Sequence, residues 1–223
     1  MENIKSQTGQ SSKSLQRLIV FTRYPEPGKT KTRLIDALGK EGAANLHRQL
    51  AKHTLRQVKS LVGWVSARDP TLEVYFTGAT EALMREWLGD NLVYHQQRNG
   101  DLGARMAQAF DRAFNTGAVR VAIIGTDCPS IDAKLLLYAF EQLHSTDLVL
   151  GPAADGGYYL IGLGRMVPEL FTGIDWGTSR VLAQTLAQAQ RLNLSLCQLP
   201  VLADIDRPSD LSSLPSDFSG TVL

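Results

Sequence analysis

The segment Val121-Ala-Ile-Ile-Gly-Thr-Asp-Cys-Pro129 decides the fold that we predict for this chain. Its first four residues are apolar and are typical of a buried strand, which Gly125 then ends. The carboxylate of Asp127 follows, just before a turn. In an open α/β sheet ligands bind beyond the carboxyl ends of the strands, so Asp127 is placed to hold a divalent cation and a phosphate-bearing substrate. A turn or helix-capping aspartate is the alternative.

The length of 223 residues, with 43% hydrophobic and 20% charged residues, predicts one compact domain with a sizeable core. The formal net charge of +1 offers no global electrostatic attraction for nucleic acid or an anionic membrane. No apolar run reaches the roughly 18 residues that a membrane-spanning helix needs. These properties leave the oligomeric state open.

The termini and the cysteines favour a cytoplasmic protein. Residues 1–14 are polar and lack the apolar centre of a signal peptide, so we expect a disordered tail there. Residues 212–223, rich in Ser, are predicted to form a second flexible tail, which leaves residues 15–211 as the folded domain. Cys128 and Cys197 show no CxxC spacing, so neither a zinc site nor a disulfide framework is indicated.

Apolar segments alternate with amphipathic segments, which predicts a mostly parallel sheet covered by helices on both faces. The predicted strands are 17–22, 72–77, 92–95, 120–125, 147–151, 158–163 and 194–199. The predicted helices are 41–61, 81–88, 101–114, 132–143 and 179–191. Helix 101–114 is the best defined, because its apolar residues recur at spacings of three and four.

The loop after the first strand is basic and carries Lys29, Lys31 and Arg33. Its Gly28-Lys-Thr string resembles part of a Walker A loop, but the glycine which that motif requires five residues earlier is Arg23 here. Two prolines also remove amide donors from the loop, so we reject that interpretation. A basic loop directly after a strand is still placed to hold a triphosphate, and a solvated loop is the alternative.

Gly103 lies inside the first turn of a predicted helix, where glycine costs about 1 kcal/mol relative to alanine. Close approach of a ligand would explain it, with Arg105 as a phosphate or base contact, and a packing requirement explains it as well. Trp176, in the segment before the last helix, could form a wall for an acceptor or belong to the core.

The pair Gly156-Gly157 permits a tight turn with Asp155 at its apex, and Tyr158 and Tyr159 then point to opposite faces of the next strand. One tyrosine could line a pocket, and a plain hairpin turn is the alternative. Near the C-terminus, Asp204 and Asp206 lie on one side of an extended segment, where they form either a metal site or a solvated rim.

Four motifs in this order resemble a known family. They are Pro-x-Pro-Gly-Lys-x-Lys-Thr-Arg-Leu at 25–34, Gly-Thr-Asp-Cys-Pro at 125–129, Asp-Gly-Gly-Tyr-Tyr-Leu-Ile-Gly at 155–162 and Asp-Ile-Asp-x-Pro-x-Asp-Leu at 204–211. The resemblance is to small bacterial GT-A-type transferases, a DUF2064-like family labelled radical-SAM/selenodomain-associated glycosyltransferases. Phospholactate guanylyltransferases and molybdenum-cofactor nucleotidyltransferases are relatives of that family. Over residues 17–211 it implies a single-domain nucleotide-diphospho-sugar transferase fold (GT-A), a three-layer Rossmann-like, mixed and mostly parallel sheet of about seven strands.

By position, the resemblance implies that Asp127 is a metal-binding acid and that Asp206 is the second metal position, for Mg²⁺ or Mn²⁺. Whether Asp204 takes the second place instead stays open. Asp155 is implied on the acceptor side, where it would orient or deprotonate a hydroxyl, so the predicted catalytic residues are Asp127 and Asp155. The predicted substrate-binding residues, with Lys29 and Arg33 matching the family's phosphate loop, are Gly28, Lys29, Lys31, Arg33, Arg105, Gly156, Gly157 and Tyr158.

Two departures limit what the resemblance implies. The first loop lacks the Gly-Gly-x-Ser-x-Arg-Met form of the molybdenum-cofactor enzymes, so their substrate is not carried over. The place of the first acid of a DxD motif is Gly125, which leaves one acid at that position.

We therefore expect a metal-dependent transferase that takes a nucleotide-sugar or nucleoside triphosphate donor and a small-molecule acceptor. The family label favours glycosyl transfer. The alternatives are a nucleotidyltransferase that releases pyrophosphate and a nucleotide-binding protein without catalysis. A dehydrogenase is not expected, because no GxGxxG follows the first strand.

Overall fold

The computed structural model describes residues 15–62, 70–215 and 218. These residues form seven strands and five α-helices, which alternate except that two strands are consecutive near the middle of the second half. The strands are β1 (Gln16–Arg23), β2 (Thr71–Thr77), β3 (Val93–Gln96), β4 (Arg120–Ile124), β5 (Leu148–Pro152), β6 (Tyr158–Leu163) and β7 (Leu196–Gln198). The helices are α1 (Ile35–Val62), α2 (Glu81–Leu88), α3 (Leu102–Asn115), α4 (Ala133–Gln142) and α5 (Val181–Arg191), with 3₁₀ turns at Thr32–Leu34, Pro168–Phe171 and Pro208–Ser213.

The strands form one sheet in the order β3-β2-β1-β4-β6-β5-β7. Strands β1 to β4 are mutually parallel where they pair, β6 is antiparallel to β4 and β5, and β5 is parallel to β7. This confirms the predicted mixed, mostly parallel sheet. The strand order reverses between β1 and β4, and such a switch point opens a crevice for ligands at the carboxyl ends of the strands.

Helices cover both faces because apolar residues alternate along each strand. Leu18 and Val20 of β1 pack with α1, α2 and α4, whereas Ile19 packs with α3 on the other face. A third cluster attaches the C-terminal segment to α1 through Ile205 and Phe218. Phe218 is 3% exposed, so the packed part of the domain continues past position 211, where we predicted its end. The predicted N-terminal tail lies outside the described residues.

The first helix begins earlier than predicted. It starts at Ile35 and contains a break at Gly39, whose φ of 72° is not helical. The prediction of 41–61 therefore matches the longer, second piece. β7 is shorter than predicted, because the amide of Leu194 donates to Ala189 O at the end of α5. Within the parts of the chain that the structure describes, no helix is long and apolar enough to cross a membrane.

Candidate active site

The loop after β1 turns the side chain of Lys31 into the crevice at the switch point. The hydroxyl of Thr30 donates to the carbonyl of Tyr24 at 3.1 Å and accepts from the amide of Glu26 at 3.2 Å, which closes the loop. Lys31 follows with φ 50° and ψ 46°, a left-handed conformation uncommon for lysine. As a result its side chain is only 4% exposed.

The ammonium of Lys31 lies between two carboxylates from distant parts of the chain. Its Nζ is 2.7 Å from Oδ1 of Asp127 and 3.7 Å from Oδ1 of Asp206, and it donates to the carbonyl of Ile205. The amide of Ile205 in turn donates to Asp127 O at 2.9 Å, which joins the loop after β4 to the C-terminal segment. Asp127 and Asp206, predicted as metal ligands, are therefore brought together around one cation.

One oxygen of Asp127 is buried, although its side chain as a whole is 48% exposed. Burial opposes ionisation, but the Lys31 ammonium and His47 outweigh it and hold the pKa of Asp127 well below its usual range. The carboxylate is therefore ionised and keeps an open side for a ligand.

Sequence reasoning missed His47. It lies on α1 and is buried, with Nε2 2.9 Å from Arg23 O and Nδ1 3.8 Å from Oδ1 of Asp127. No motif surrounds His47, and its only signal is a polar residue on the buried face of an amphipathic helix. It supports the carbonyl end of β1 beside the carboxylate pair.

Asp206 is held by a second cation and by a cap. Arg33 Nη1 contacts Oδ2 of Asp206, and the carboxylate of Asp210 accepts the amides of Asp206 and Arg207 at 3.0 and 2.7 Å. Burial alone would raise the pKa of Asp210, but these amides outweigh it and hold the pKa below its usual value.

We expect the stabilising contribution of Asp210 to be lost only in acid. A lowered pKa in the folded state means that the contribution is complete above the ordinary Asp value of about 3.9 and disappears as the pH falls below it. A carbon-detected NMR titration of the Asp210 carboxyl should give a midpoint below about 3.9. A midpoint at or above that value would contradict the hydrogen bonds from the Asp206 and Arg207 amides to the Asp210 carboxylate.

Asp204 has a different neighbour from Asp206. Burial and the charge of Asp155 raise the pKa of Asp204. The amide of Ala154 donates to Leu202 O at 2.9 Å, which holds the segments before the two acids side by side.

Asp155 accepts the amide of Gly157 at 2.8 Å, which fixes its carboxylate at the apex of the predicted turn. Burial and the charge of Asp204 also raise the pKa of the Cys128 thiol in the loop after β4.

Three predicted substrate-binding residues lie away from the carboxylates. The Lys29 side chain is 62% exposed and pairs with Glu26 at 2.8 Å, so Lys31 rather than Lys29 joins Arg33 at the site. Gly28, with φ 79°, turns the chain beside Lys40. Tyr158 packs edge to face on Trp176, because β6 directs its side chain onto the face of the sheet that α3 covers.

The opposite directions predicted for the two tyrosines are confirmed, since Tyr159 packs in the core on the other face. Its hydroxyl donates to Pro200 O at 3.0 Å.

Gly103 is a packing glycine. A Cβ at this position would lie 2.4 Å from ring atoms of Trp176, which is partly buried against the same core. Arg105 lies two residues further along α3, donates to Oε1 of Gln97 at 2.9 Å, and lines a cavity of about 490 Å³. Arg98 and Tyr75 line the same cavity.

We expect Gly103→Ala to destabilise the protein by about 1 kcal/mol. The gain in helix propensity is about 1 kcal/mol, and overpacking against the indole costs about 1–3 kcal/mol. Urea unfolding of the single variant and of the same change in a Trp176→Ala background measures both effects. In that background G103A should become stabilising, and destabilisation of equal size in both backgrounds would contradict the packing role.

The carboxylates of Asp127 and Asp206 fit a hard divalent cation. Carboxylate oxygens are the ligands that Mg²⁺ takes in proteins, usually one or two of them together with phosphates and water. The two side chains already converge on the cationic Nζ of Lys31. Among the described residues, no group of three or more His, Cys, Asp or Glu side chains is arranged to hold a metal, so further ligands would come from substrate or solvent.

Comparison with known proteins supports the resemblance. The family described as "Uncharacterized protein conserved in bacteria (DUF2064)" matches residues 62–178. A protein of Desulfovibrio desulfuricans G20, provisionally assigned as a nucleotide-diphospho-sugar transferase, is 32% identical to this chain. That match has a TM-score of 0.83 and covers 93% of this chain and 91% of the other.

More distant structures share the fold alone. CMP:2-keto-3-deoxy-manno-octonic acid synthetase, solved with CTP, is 12% identical, with a TM-score of 0.55 and coverage of 92% of this chain and 98% of its own. Glucosyl-3-phosphoglycerate synthase of Mycobacterium tuberculosis, solved with Mn²⁺ and UDP, is 13% identical, with a TM-score of 0.56 and coverage of 89% and 74%. A search of functionally curated proteins gives no match.

Proposed function

This chain belongs to the DUF2064 family, and from that premise we propose that it is a metal-dependent transferase acting on a nucleotide-sugar or nucleoside triphosphate donor. The observation that carries the proposal is the convergence of Asp127, Asp206, Lys31 and Arg33 at the switch point of the sheet. Two carboxylates suit a metal, and two cations suit the phosphates of a donor.

The donor's phosphates lie against Lys31 and Arg33 in this proposal. These cations balance the charge that develops on the leaving nucleoside diphosphate or pyrophosphate, so they stabilise the transition state more than the ground state. Asp127 and Asp206 would hold Mg²⁺ or Mn²⁺, which would supply further positive charge to the phosphates of the donor. Most of the catalytic effect then comes from positioning and electrostatics.

The nucleoside part of the donor points toward the cavity lined by Arg105. That cavity offers the guanidinium groups of Arg98 and Arg105 and the ring of Tyr75. Gln97 connects the cavity to the sheet edge, since its side-chain Nε2 donates to Tyr75 O at 2.9 Å and to Thr22 O at 3.4 Å. Arg and aromatic side chains suit a planar base.

The acceptor approaches from the side of Asp155 and Asp204. Burial and the charge of Asp155 raise the pKa of Asp204, and a carboxylate with a raised pKa is a better acceptor for the proton of an acceptor hydroxyl. Glycosyl transfer to a small acceptor is the reaction that we favour, because the 32% identical structure is provisionally assigned to nucleotide-diphospho-sugar transfer. Nucleotidyl transfer would use the same metal and phosphate-binding residues and is the second candidate.

A thermal-shift panel of nucleoside triphosphates and nucleotide-sugars, each with and without Mg²⁺ or Mn²⁺, tests the proposal. A donor at a hundred times its dissociation constant adds about 2.7 kcal/mol, which moves the midpoint by several degrees. Product analysis with the donor found then separates the reactions, since free pyrophosphate marks nucleotidyl transfer and a nucleoside diphosphate marks glycosyl transfer. No shift with any nucleotide at millimolar concentration would contradict the proposal, and binding without turnover over a broad acceptor panel would favour a nucleotide-binding protein.

The matched variants Asp206→Asn and Asp204→Asn test which acid is the second metal ligand. We expect D206N to lose the metal-dependent part of the donor's thermal shift, because Asp206 shares the Lys31 cation with Asp127. D204N should keep that part, because the side-chain charge that acts most on Asp204 is that of Asp155, whereas that of Lys31 acts less. The reverse result would move the metal position to Asp204.

A further inference from the structure

We propose that Lys31 is a resident cation that keeps the Asp127–Asp206 pair from binding a divalent metal on its own. In this inference the metal enters only together with a phosphate-bearing donor, which draws the lysine away from the carboxylates. The inference rests on the proposed function, because it assigns an order of binding to the same site.

The first reason for this inference is the position of the Lys31 ammonium. Its Nζ lies 2.7 Å from Asp127 and 3.7 Å from Asp206, between the two oxygens that would face a metal. The contact with Ile205 O adds a third oxygen around the ammonium. Three oxygens from two chain segments form the environment that a hard cation prefers, and the lysine already fills it.

The second reason is the balance of charge between the two cations and the two carboxylates. Lys31 and Arg33 already neutralise the two carboxylates one for one. A free divalent ion would add two positive charges within a few ångströms of the ammonium, and like charges at about 4 Å repel strongly in a partly buried site. A metal that arrives with a polyphosphate adds little or no positive charge, and its phosphates offer both cations new anionic partners.

The third reason is the burial of the Lys31 side chain. The Lys31 side chain is 4% exposed, whereas those of Lys29 and Arg33 in the same loop are 62% and 58% exposed. A buried ammonium cannot leave its carboxylates unless another anion receives it, because an unpaired buried charge is costly. The flexible stem of lysine lets Nζ turn from the carboxylates to a phosphate without movement of the backbone.

Equilibrium dialysis of the full-length protein against Mn²⁺ tests the inference without any turnover. The comparison uses wild type, Lys31→Met and the matched control Lys29→Met, each with and without inorganic pyrophosphate. Alone, Mn²⁺ should bind K31M at least about tenfold more tightly than wild type or K29M. With pyrophosphate, wild type and K29M should take up Mn²⁺. Pyrophosphate should increase the Mn²⁺ affinity of K31M less than it increases that of wild type. Lys31→Arg keeps the charge, so it should exclude free Mn²⁺ as wild type does. Lys31→Gln removes the charge and replaces K31M as the informative variant if K31M does not fold.

The outcomes separate this inference from the proposed function. Equal affinity of wild type and K31M for Mn²⁺ alone, with metal uptake still present, would overturn the resident cation and leave the transferase proposal standing. Tight binding of free Mn²⁺ by wild type or by K31R would do the same. If wild type takes up no Mn²⁺ even with pyrophosphate and K31M takes up none either, both proposals fail.

Discussion

The variant Asp127→Asn should lose turnover by roughly a thousandfold or more while the protein still folds. Asparagine keeps the shape of the side chain but removes the charge that a metal requires and that pairs with Lys31 at 2.7 Å. In the proposed function, the protein would then lack both the anchor for the metal and the position of Lys31, the lysine that we assign to the phosphates. Product formation from the donor found in the thermal-shift panel measures the loss, and full activity of D127N would contradict the assignment of this site.

The same variant should also lower the free energy of unfolding. Removing one partner of a fully buried ion pair costs about 3–5 kcal/mol, and we expect about 2–3 kcal/mol here because the Asp127 side chain is 48% exposed. The double variant D127N/K31M is the matched control, since it removes the orphaned ammonium as well. It should recover most of the stability and none of the turnover. Recovery of turnover would mean that Asp127 serves only to neutralise Lys31.

The second large effect is expected at Gly156. Its φ is 89°, and a Cβ there would lie 2.2 Å from the carbonyl oxygen of Ser179, which is backbone and cannot turn aside. The carbonyl of Gly156 also accepts the amide of Leu182 at 2.9 Å, so the turn is held against the start of α5. Gly156→Ala should therefore cost about 2–5 kcal/mol, as left-handed strain and overpacking act together. The midpoint of urea unfolding measures it.

Gly177→Ala separates the two contributions. Gly177 has a similar φ of 81°, but a Cβ there would meet nothing within 4 Å. This control should lose only the roughly 1–2 kcal/mol of left-handed strain. Equal losses in G156A and G177A would contradict the close contact between the Gly156 turn and Ser179. Because that turn carries Asp155, G156A should also weaken use of the acceptor more than binding of the donor.

The sequence predicts the fold well where the signal is local. The apolar run before Gly125, the spacing along α3 and the Asp101 cap each involve residues within a few turns or one strand of each other. Asp101 accepts the amide of Ala104 at 2.8 Å, as an aspartate at a helix start is expected to do. The strand order is not encoded in this local way, because it depends on which strands pair across long stretches of chain.

For the candidate site, the sequence by itself determined the acids and the basic loop, since an acid after a buried strand and cations after the first strand are patterns of neighbouring residues. Only the tertiary structure decided which lysine serves the site, because Lys31 meets Asp206 across 175 positions of chain and Lys29 stays with Glu26. The same holds for His47, whose role depends on α1 packing over the end of β1. It holds also for Gly103, which must be glycine because the ring of Trp176 lies against it. That contact exists only once α3 and the segment before α5 have packed together.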